Sequence, residues 1–285
     1  MRTPMQGGLP PVGAVAGPVV RIACDESGFS GTNLLDPADP VITHASVDLS
    51  EAESDELIGA LRSRFRFSPH ELKSGRLLRA GVAAGWFQQA LRGRALVQVV
   101  DKEFFLVTRI ADLLLAEPSY ATGTRLTLDR RADAVALLPA VREKGLLPLF
   151  VELARTKHRR ATRADVDRFA ELSGIARERV EALPVSRENL EPLLPALAET
   201  VLSWSEGGRR VLVTHDEQSA LTADRLTRLQ LALAGDDGVS PLAGLVMADS
   251  RDDPRVQVAD LLAGVARRGT LDPALLAPYP LVSGV

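Results

Sequence analysis

Acidic residues follow four apolar segments of the chain that have the pattern of β-strands. These acids are Asp25, Asp101, Asp216 and Asp249. A single Asp after a strand often only begins a turn or caps a helix, because its short carboxylate accepts backbone hydrogen bonds well. We favour that interpretation for Asp101 and Asp249. Acids that meet at one edge of a sheet can instead bind a divalent cation, since Mg²⁺ and Mn²⁺ prefer carboxylate oxygens as ligands.

A fifth acid lies in a segment near the end of the chain, "VQVADLLAGVARR", which has the pattern of a helix. Asp260 shares one helical face with Val256 and Gly264, and Ala259 and Ala263 flank it. A carboxylate on such a small, apolar surface is costly unless an arginine, backbone donors or a metal ion compensate it. Its small neighbours also allow another backbone or a ligand to approach closely. We therefore interpret Asp260 as functional, with a structural salt bridge as the alternative.

Alternating strand and helix patterns predict that an α/β layer fold carries these acids. The first two strands are expected over Val19–Cys24 and Val41–Val47, and three more are expected to end at Asp101, Asp216 and Asp249. If the strands that end at Asp25 and Asp216 are adjacent and parallel, the two carboxylates become neighbours. The expected fold class is thus a mixed central sheet of about five strands flanked by helices.

Helical signals fill the segments between the strands. Ser50 followed by Glu53 is a capping-box pattern and predicts a helix over 51–64. Apolar periodicity predicts further helices over about 77–91, 103–116 and 221–234. The expected division of the chain is a flexible N-terminal tail over 1–17, a first part of the sheet domain over 18–131, a helical insertion over 132–205, a second part of the sheet domain over 206–269 and a C-terminal tail over 270–285.

The composition of the chain narrows the classes of function. A formal net charge of -3 over 285 residues excludes a uniformly basic protein that coats nucleic acid, so any contact with a polyanion must be local. Cys24 is the single cysteine, which excludes an internal disulfide and a multi-cysteine zinc site and favours a reducing compartment, the cytoplasm. An interrupted N-terminal segment and the lack of an apolar run of roughly 20 residues predict a soluble protein with no membrane partner.

Four short motifs occur in a fixed order between Val19 and Arg268: "CDESG", "HELKSG", "VLVTHDE" and "VQVADLLAGVARR". In that order they resemble the bacterial family called domain of unknown function 3800. The resemblance implies an RNase H-like fold and a nuclease activity that depends on Mg²⁺ or Mn²⁺. The metal ligands and catalytic acids that it implies are Asp25, Glu71, Asp216 and Asp260. The motif residues that accompany them are Lys73 and Gln257.

The chemistry of phosphodiester hydrolysis gives a physical reason for such a set of acids. Two divalent ions about 3.5–4 Å apart activate the attacking water and stabilise the leaving oxygen. Without a cation, two carboxylates about 4 Å apart repel each other by roughly 4 kcal/mol at an effective dielectric constant near 20. Lys73 is expected to assist by contacting a phosphate or transition-state oxygen, and an ordinary surface lysine is the equal alternative.

Several residues form a second tier of candidates. Glu71 is the least secure of the four ligands, because it precedes the third predicted strand, whereas the second acid of a simple RNase H-like site lies on a helix after that strand. Glu26 would point to the opposite face from Asp25 if the first strand continued. His215 could assist proton transfer, although a buried structural histidine is more common. The other second-tier residues are Asp101, Asp249 and Gln257.

The leading hypothesis is therefore a phosphodiesterase that hydrolyses DNA or RNA with two Mg²⁺ or Mn²⁺ ions. One alternative is a non-catalytic RNase H-like module that binds nucleic acid or protein, in which the acids only stabilise the fold. Another is a hydrolase of a small phosphate ester, which the low positive charge of the chain keeps open. Phosphate-loop, zinc-protease and serine-hydrolase motifs are absent from the sequence.

Overall fold

A five-stranded mixed sheet forms the centre of the protein in a computed structural model, which describes residues 7–28, 33–67, 72–115, 131–154, 161–182, 190–206, 208–278 and 280–282. The strands are β1 Val19–Ser27, β2 Val41–Val47, β3 Ala95–Asp101, β4 Arg210–Asp216 and β5 Leu242–Ala248. Their order across the sheet is β3-β2-β1-β4-β5. Helices flank the sheet, and the predicted α/β class with about five strands is confirmed.

The pairing of the strands places the first and fourth side by side. β1 is antiparallel to β2, and β2 is antiparallel to β3. β1 is parallel to β4, and β4 is parallel to β5. Because Cys24 is in register with His215, the residues that follow them, Asp25 and Asp216, lie next to each other at the same edge of the sheet. The condition for these two carboxylates to be neighbours, that their strands are adjacent and parallel, is therefore met.

The helices lie where the sequence pattern predicts them, except that one predicted helix is divided into two. They are α1 Glu51–Phe65, α2 Ser74–Arg79, α3 Val82–Ala90, α4 Lys102–Leu115, α5 Arg131–Glu143, α6 Leu146–Ala154, α7 Arg163–Ser173, α8 Arg177–Glu181, α9 Leu193–Trp204, α10 Ala223–Leu233 and α11 Pro254–Arg268. The capping box of Ser50 and Glu53 is formed at the start of α1. Gly81 has φ +26° and separates α2 from α3, so the single helix predicted over 77–91 is wrong.

Each face of the sheet is covered by its own hydrophobic cluster. On one face, Ala23, Ala45 and Val47 pack with apolar residues of α1, α2, α3 and α11. On the other face, Ile22 and Cys24 pack with apolar residues of α9 and α10. Alternation along a strand sends successive side chains to opposite faces, so neighbouring residues of β1 belong to different layers.

A third hydrophobic cluster joins α4 to the helices α5–α8. Phe105, Phe150 and Phe169 are completely buried in it. The helix α9 belongs to the predicted insertion by sequence, yet Leu197 and Val201 of this helix pack against the sheet. The predicted domain boundaries themselves stay a prediction.

The segments expected to be tails contact the two outer strands. Leu9 exchanges two backbone hydrogen bonds with Leu245 of β5. Near the other end of the chain, Leu276 pairs with Val97 of β3. Both contacts occupy backbone groups on an edge strand that would otherwise be open to another chain. No helix in the described residues is long and apolar enough to cross a bilayer.

Candidate functional site: an acidic cluster beside the closing helix

Three predicted acids come together beside α11. Asp25 and Asp216 end adjacent parallel strands, and strand alternation directs both to the face that α11 covers. Asp25 is 5% exposed, and burial raises its pKa well above the usual range. The negative charges of Glu26, Asp216 and Asp260, in that order, raise the pKa of Asp25 further. Asp260 therefore contributes its negative charge to the cluster from α11.

The closing helix is fixed tightly against the sheet. Asp253 caps its first turn, and Pro254 occupies the first helical position, where the missing N–H is not needed. The Thr43 hydroxyl of β2 donates a hydrogen bond to the Ala263 carbonyl of α11 at 2.8 Å. A side chain at Gly264 would overlap Ser74 of α2. Small residues thus let the helix approach its neighbours closely.

Backbone donors orient Asp216. Its Oδ1 accepts a hydrogen bond from the Ser250 N–H at 3.1 Å, just after β5. Burial raises the pKa of Asp216, while the N–H groups of Ser250 and Glu217 lower it and the charge of Glu26 raises it again. The net direction is upward. Asp216 is thus held in a defined orientation, yet its negative charge is only partly stabilised.

Glu26 lies closer to this cluster than its second-tier rank suggested. β1 continues through Ser27, so Glu26 points to the α9 face, as expected for a continuing strand. The Gln218 amide donates to its Oε1 at 2.6 Å, and in the described part of the chain no donor reaches its buried Oε2. Among neighbouring charges, Glu26 has the largest effect on the pKa of Asp25.

The structure describes the predicted motif residue Lys73 but not Glu71. The Lys73 ammonium lies 3.7 Å from Oδ2 of Asp260, with the two side chains 58% and 26% exposed. The motif lysine is therefore at the cluster, on its solvent side. Glu71 lies outside the described residues, so its role as a ligand stays a prediction.

A polar cleft of about 540 Å³ opens beside the cluster, between α1 and the start of α11. Its lining residues are Glu51, Asp55, Arg62, Ser250, Arg251, Asp252, Pro254 and Gln257. Ser250 also holds Asp216, and Gln257 precedes Asp260 by one helical turn. The second-tier residue Gln257 thus lines a polar cleft next to residues of the cluster.

Two second-tier acids have local structural partners. Asp101 accepts a hydrogen bond from the Phe104 N–H at 2.9 Å and so caps the start of α4. Asp249 accepts from the Arg251 side chain at 2.8 Å and forms an ion pair with it. The turn and capping interpretation that we favoured for both acids agrees with these contacts.

His215 is part of a buried chain of hydrogen bonds on the α9 face. Thr200 Oγ1 lies 2.9 Å from His44 Nδ1, His44 Nε2 lies 3.2 Å from His215 Nε2, and His215 Nδ1 lies 2.9 Å from the Asp216 carbonyl oxygen. A carbonyl oxygen only accepts, so His215 Nδ1 donates. The Thr200 hydroxyl also lies 2.9 Å from the Ala196 carbonyl oxygen of α9, and its single proton can be donated to only one of these two partners. Burial lowers the pKa of His44, which agrees with a neutral ring.

The hydrogen bonds through His44 and His215 therefore fix the backbone at Asp216. Neither histidine faces the acidic cluster as an acid or base. We call these three residues, Thr200, His44 and His215, the buried histidine chain. The sequence carried a signal for it, since His44 and His215 each lie inside an apolar strand pattern. The contact between the two histidines could not be predicted from that signal, because it depends on how β1, which lies between their strands, is paired with each.

The acids fit a hard divalent cation by their chemistry. Asp25, Asp216, Asp260 and Glu26 offer only carboxylate oxygens, and one oxygen of Glu26 is buried with no donor in the described part of the chain. Within the residues that the structure describes, no group of three or more His, Cys, Asp or Glu side chains is arranged to hold a metal ion. The structure therefore contains suitable donors, but not a closed set of ligands among those residues.

The fold and the site define an α/β protein with an acidic cluster at the end of its central strand. In comparisons with known proteins, no family model, curated protein or solved structure matches the chain. The resemblance to the domain of unknown function 3800 family accordingly stays a prediction carried by the four motifs.

Proposed function

We propose that the protein is an RNase H-like phosphodiesterase that hydrolyses nucleic acid with Mg²⁺ or Mn²⁺. The observation that carries the proposal is the accumulation of negative charge around the buried Asp25, whose pKa is raised by burial and by Glu26, Asp216 and Asp260. Without a cation, ionisation of such a buried carboxylate is unfavourable. A bound cation would compensate the negative charges of the cluster.

The RNase H-like part of the proposal is supported by the topology of the sheet. Three consecutive strands form an antiparallel meander, and the fourth returns parallel to the first and adjacent to it. That is the relation between the strands of Asp25 and Asp216 that the RNase H-like interpretation requires.

The proposed metal ligands are Asp25, Asp216 and Asp260, with Glu71 from the motif and Glu26 from the structure. Bound divalent cations would supply an activated water and stabilisation of the leaving oxygen. The chain itself supplies the positioning: Asp25 is fixed on a central strand, and the Ser250 N–H orients Asp216.

Lys73 supplies the positive charge on the solvent side of the cluster. Its ammonium contacts Asp260 at 3.7 Å and is more than half exposed, so a phosphate oxygen can reach it without displacing buried groups. We propose that Lys73 holds a non-bridging phosphate oxygen while the carboxylates hold the cations. The polar cleft that Gln257 lines is the proposed route by which solvent and substrate reach the acids.

The proposal is tested by incubating the protein with single- and double-stranded DNA and RNA in Mg²⁺, Mn²⁺ or EDTA. Cleavage should require the metal and should fall by at least about a hundredfold in Asp25→Asn and Asp260→Asn. Asp101→Asn is the matched control, because Asn caps a helix about as well as Asp and this residue caps α4. Cleavage that survives both substitutions would show that other residues carry the chemistry.

A non-catalytic module that binds nucleic acid or protein is the second candidate. The observation that favours it is that Asp260 is paired with Lys73 at 3.7 Å and Asp216 accepts a hydrogen bond from the Ser250 N–H, contacts through which the acids can stabilise the fold. Its signature in the same experiment is binding of nucleic acid with no metal-dependent cleavage of any of the four substrates.

A further inference from the structure

Four cationic residues lie on two packed helices next to the acidic cluster. They belong to the start and end of α2 and to the last turn of α11, and we call them the basic ridge: Lys73, Arg76, Arg79 and Arg268. Three of these residues are exposed: Lys73, Arg79 and Arg268. Arg76 is half-buried. The sequence pattern did not reveal the ridge, because α2 and α11 are about 190 residues apart in the chain.

The packing of α2 against α11 brings the ridge together. The Lys73 ammonium lies 3.7 Å from Asp260. Further along α11, the Arg268 guanidinium donates a hydrogen bond to Ser74 Oγ at 2.7 Å. Asp260 and Arg268 are eight residues apart on one helix, which corresponds to about 12 Å along its axis. The ridge therefore begins at the acids and extends along the closing helix.

Arg79 and Arg268 both reach the first turn of α2. Arg79 folds back along α2, and its Nη1 is 3.8 Å from the position that a β-carbon on Gly75 would occupy. Arg268 contacts Ser74, the residue before Gly75. Arg76 is three residues from both Lys73 and Arg79, so it shares their side of the short helix.

The positive charge of the ridge is poorly compensated. The chain as a whole has a formal net charge of -3, so a cluster of four cations is a local departure from the average. Lys73 is paired with Asp260. In the described part of the chain, Arg76 and Arg79 form no ion pair with an acid. A surface of this kind attracts a polyanion, because binding relieves repulsion between like charges.

We propose that the basic ridge binds the sugar-phosphate backbone of a nucleic acid and leads it to the acidic cluster. Arginine side chains bind phosphates through paired N–H groups, which suits a row of phosphodiesters better than a single carboxylate. A surface about 12 Å long spans about three to four phosphates of one strand, which are spaced by about 3.4 Å along a duplex axis. The inference rests on the proposed function, since it identifies a polymer as the substrate of the same site.

Recognition by the ridge is independent of base sequence. Arginine and lysine groups that contact only phosphates carry affinity and orientation, whereas sequence is read by contacts to base edges. Affinity should then depend steeply on salt, since each neutralised phosphate releases condensed counterions.

The test is fluorescence anisotropy with labelled single-stranded and duplex oligonucleotides of random sequence, in EDTA, over about 50–200 mM salt. Arg76→Gln combined with Arg79→Gln should weaken binding about tenfold or more at the lowest salt. The slope of log affinity against log salt should fall by about 1.4 for a single strand and about 1.8 for a duplex, since each lost contact contributes about 0.7 or 0.9.

Two further variants keep this test decisive. Arg163→Gln combined with Arg168→Gln removes the same charge from exposed positions of α7 and should leave both the affinity and the slope unchanged. Arg76→Lys combined with Arg79→Lys keeps the charge and should retain most of the binding. If the α7 pair weakens binding as much as the ridge pair, only net charge matters and the inference is wrong. Equal, arginine-dependent binding of a polyglutamate peptide would also overturn it, because the partner would then be an acidic protein.

The inference and the proposed function can fail separately. Binding that depends on the ridge, with no metal-dependent cleavage, would support the ridge and reject the phosphodiesterase. Metal-dependent cleavage whose rate and substrate affinity do not respond to the ridge variants would reject the ridge and leave the catalytic site. Wild-type protein that binds none of the oligonucleotides would reject the ridge directly.

Discussion

Replacing Asp25 by asparagine should stabilise the metal-free protein. Asp25 is 5% exposed, and burial together with Glu26, Asp216 and Asp260 raises its pKa. Asn has nearly the same shape, and its carbonyl oxygen can still accept the hydrogen bond that the Glu26 N–H donates to Asp25 at 2.7 Å. The substitution therefore removes a buried negative charge and keeps the packing.

The expected gain follows from the cost of a buried polar group without full compensation, which is about 1–3 kcal/mol and larger for a charge. For a chain of this size, each kcal/mol shifts the melting temperature by roughly 2–4 °C. We therefore expect Asp25→Asn to melt several degrees higher than the wild type in EDTA at neutral pH.

The gain should depend on pH with a definite sign. An unfolded Asp has a pKa of about 3.9, and the folded-state pKa of Asp25 lies above it. In the interval between the two values the folded protein binds more protons than the unfolded chain, so wild-type stability falls as pH rises through that interval. Below about pH 4 the carboxyl is protonated in both states, and the advantage of Asp25→Asn should disappear.

The assay is thermal unfolding by circular dichroism over about pH 4–8, with and without millimolar Mn²⁺. Added metal should stabilise the wild type more than the variant; saturation at about 100 times the dissociation constant contributes about 2.7 kcal/mol. Asp253→Asn is the control. Burial raises the pKa of Asp253, but hydrogen bonds from Arg255 lower it more, so removal of that charge should destabilise the protein by about 1 kcal/mol and most strongly above about pH 4.

A lower or equal melting temperature of Asp25→Asn in EDTA throughout this range would refute the reasoning. It would mean that nearby cations or backbone donors fully compensate the Asp25 carboxylate in the folded protein. The accumulated negative charge would then be no reason to propose a cation at this place, and the phosphodiesterase proposal would lose its main support.

Three further predictions follow from individual contacts. Gly264→Ala should destabilise the protein by about 1–3 kcal/mol, since the added methyl overlaps Ser74, and chemical denaturation will measure the loss. Thr200→Val should cost about 1–3 kcal/mol in the same assay, because it leaves the buried Nδ1 of His44 without its hydrogen-bond partner. Hydrogen bonds from Arg94, then from the backbone and side chain of Ser50, hold the pKa of Glu53 at about 2. An NMR titration of Arg94→Ala should show this pKa rising towards the usual value of about 4.3, and an unchanged value would contradict the assignment.

Much of the sheet could be predicted from the sequence because its signals are local. Apolar runs that end in an acid located four of the five strands, and the apolar pattern of β2 predicted it over the residues it occupies, Val41–Val47. The capping box of Ser50 and Glu53 located the start of α1. The adjacency of the strands of Asp25 and Asp216 required a topology, which came from the resemblance and not from any local pattern.

The parts that could not be predicted depend on backbone conformation and packing that a pattern of residue types does not specify. Glu26 was ranked below Asp25 because alternation sends them to opposite faces, but at the end of a strand the Glu26 charge is still close enough to raise the pKa of Asp25. The single helix expected over 77–91 ignored the backbone conformation that Gly81 adopts. The basic ridge exists only because α2 packs along α11.

The end of β1 couples the two layers of the protein. Asp25 faces α11 and Glu26 faces α9, so this edge offers carboxylates of both layers to the proposed cations. On the α9 side, the buried histidine chain ends on the Asp216 carbonyl, and the same residue presents its carboxylate to the α11 side. A substitution in α9 can therefore shift an acid that it does not contact. For this reason we expect Thr200→Val to weaken metal binding as well as stability, an effect that a substitution in the third hydrophobic cluster, remote from this edge, should not reproduce.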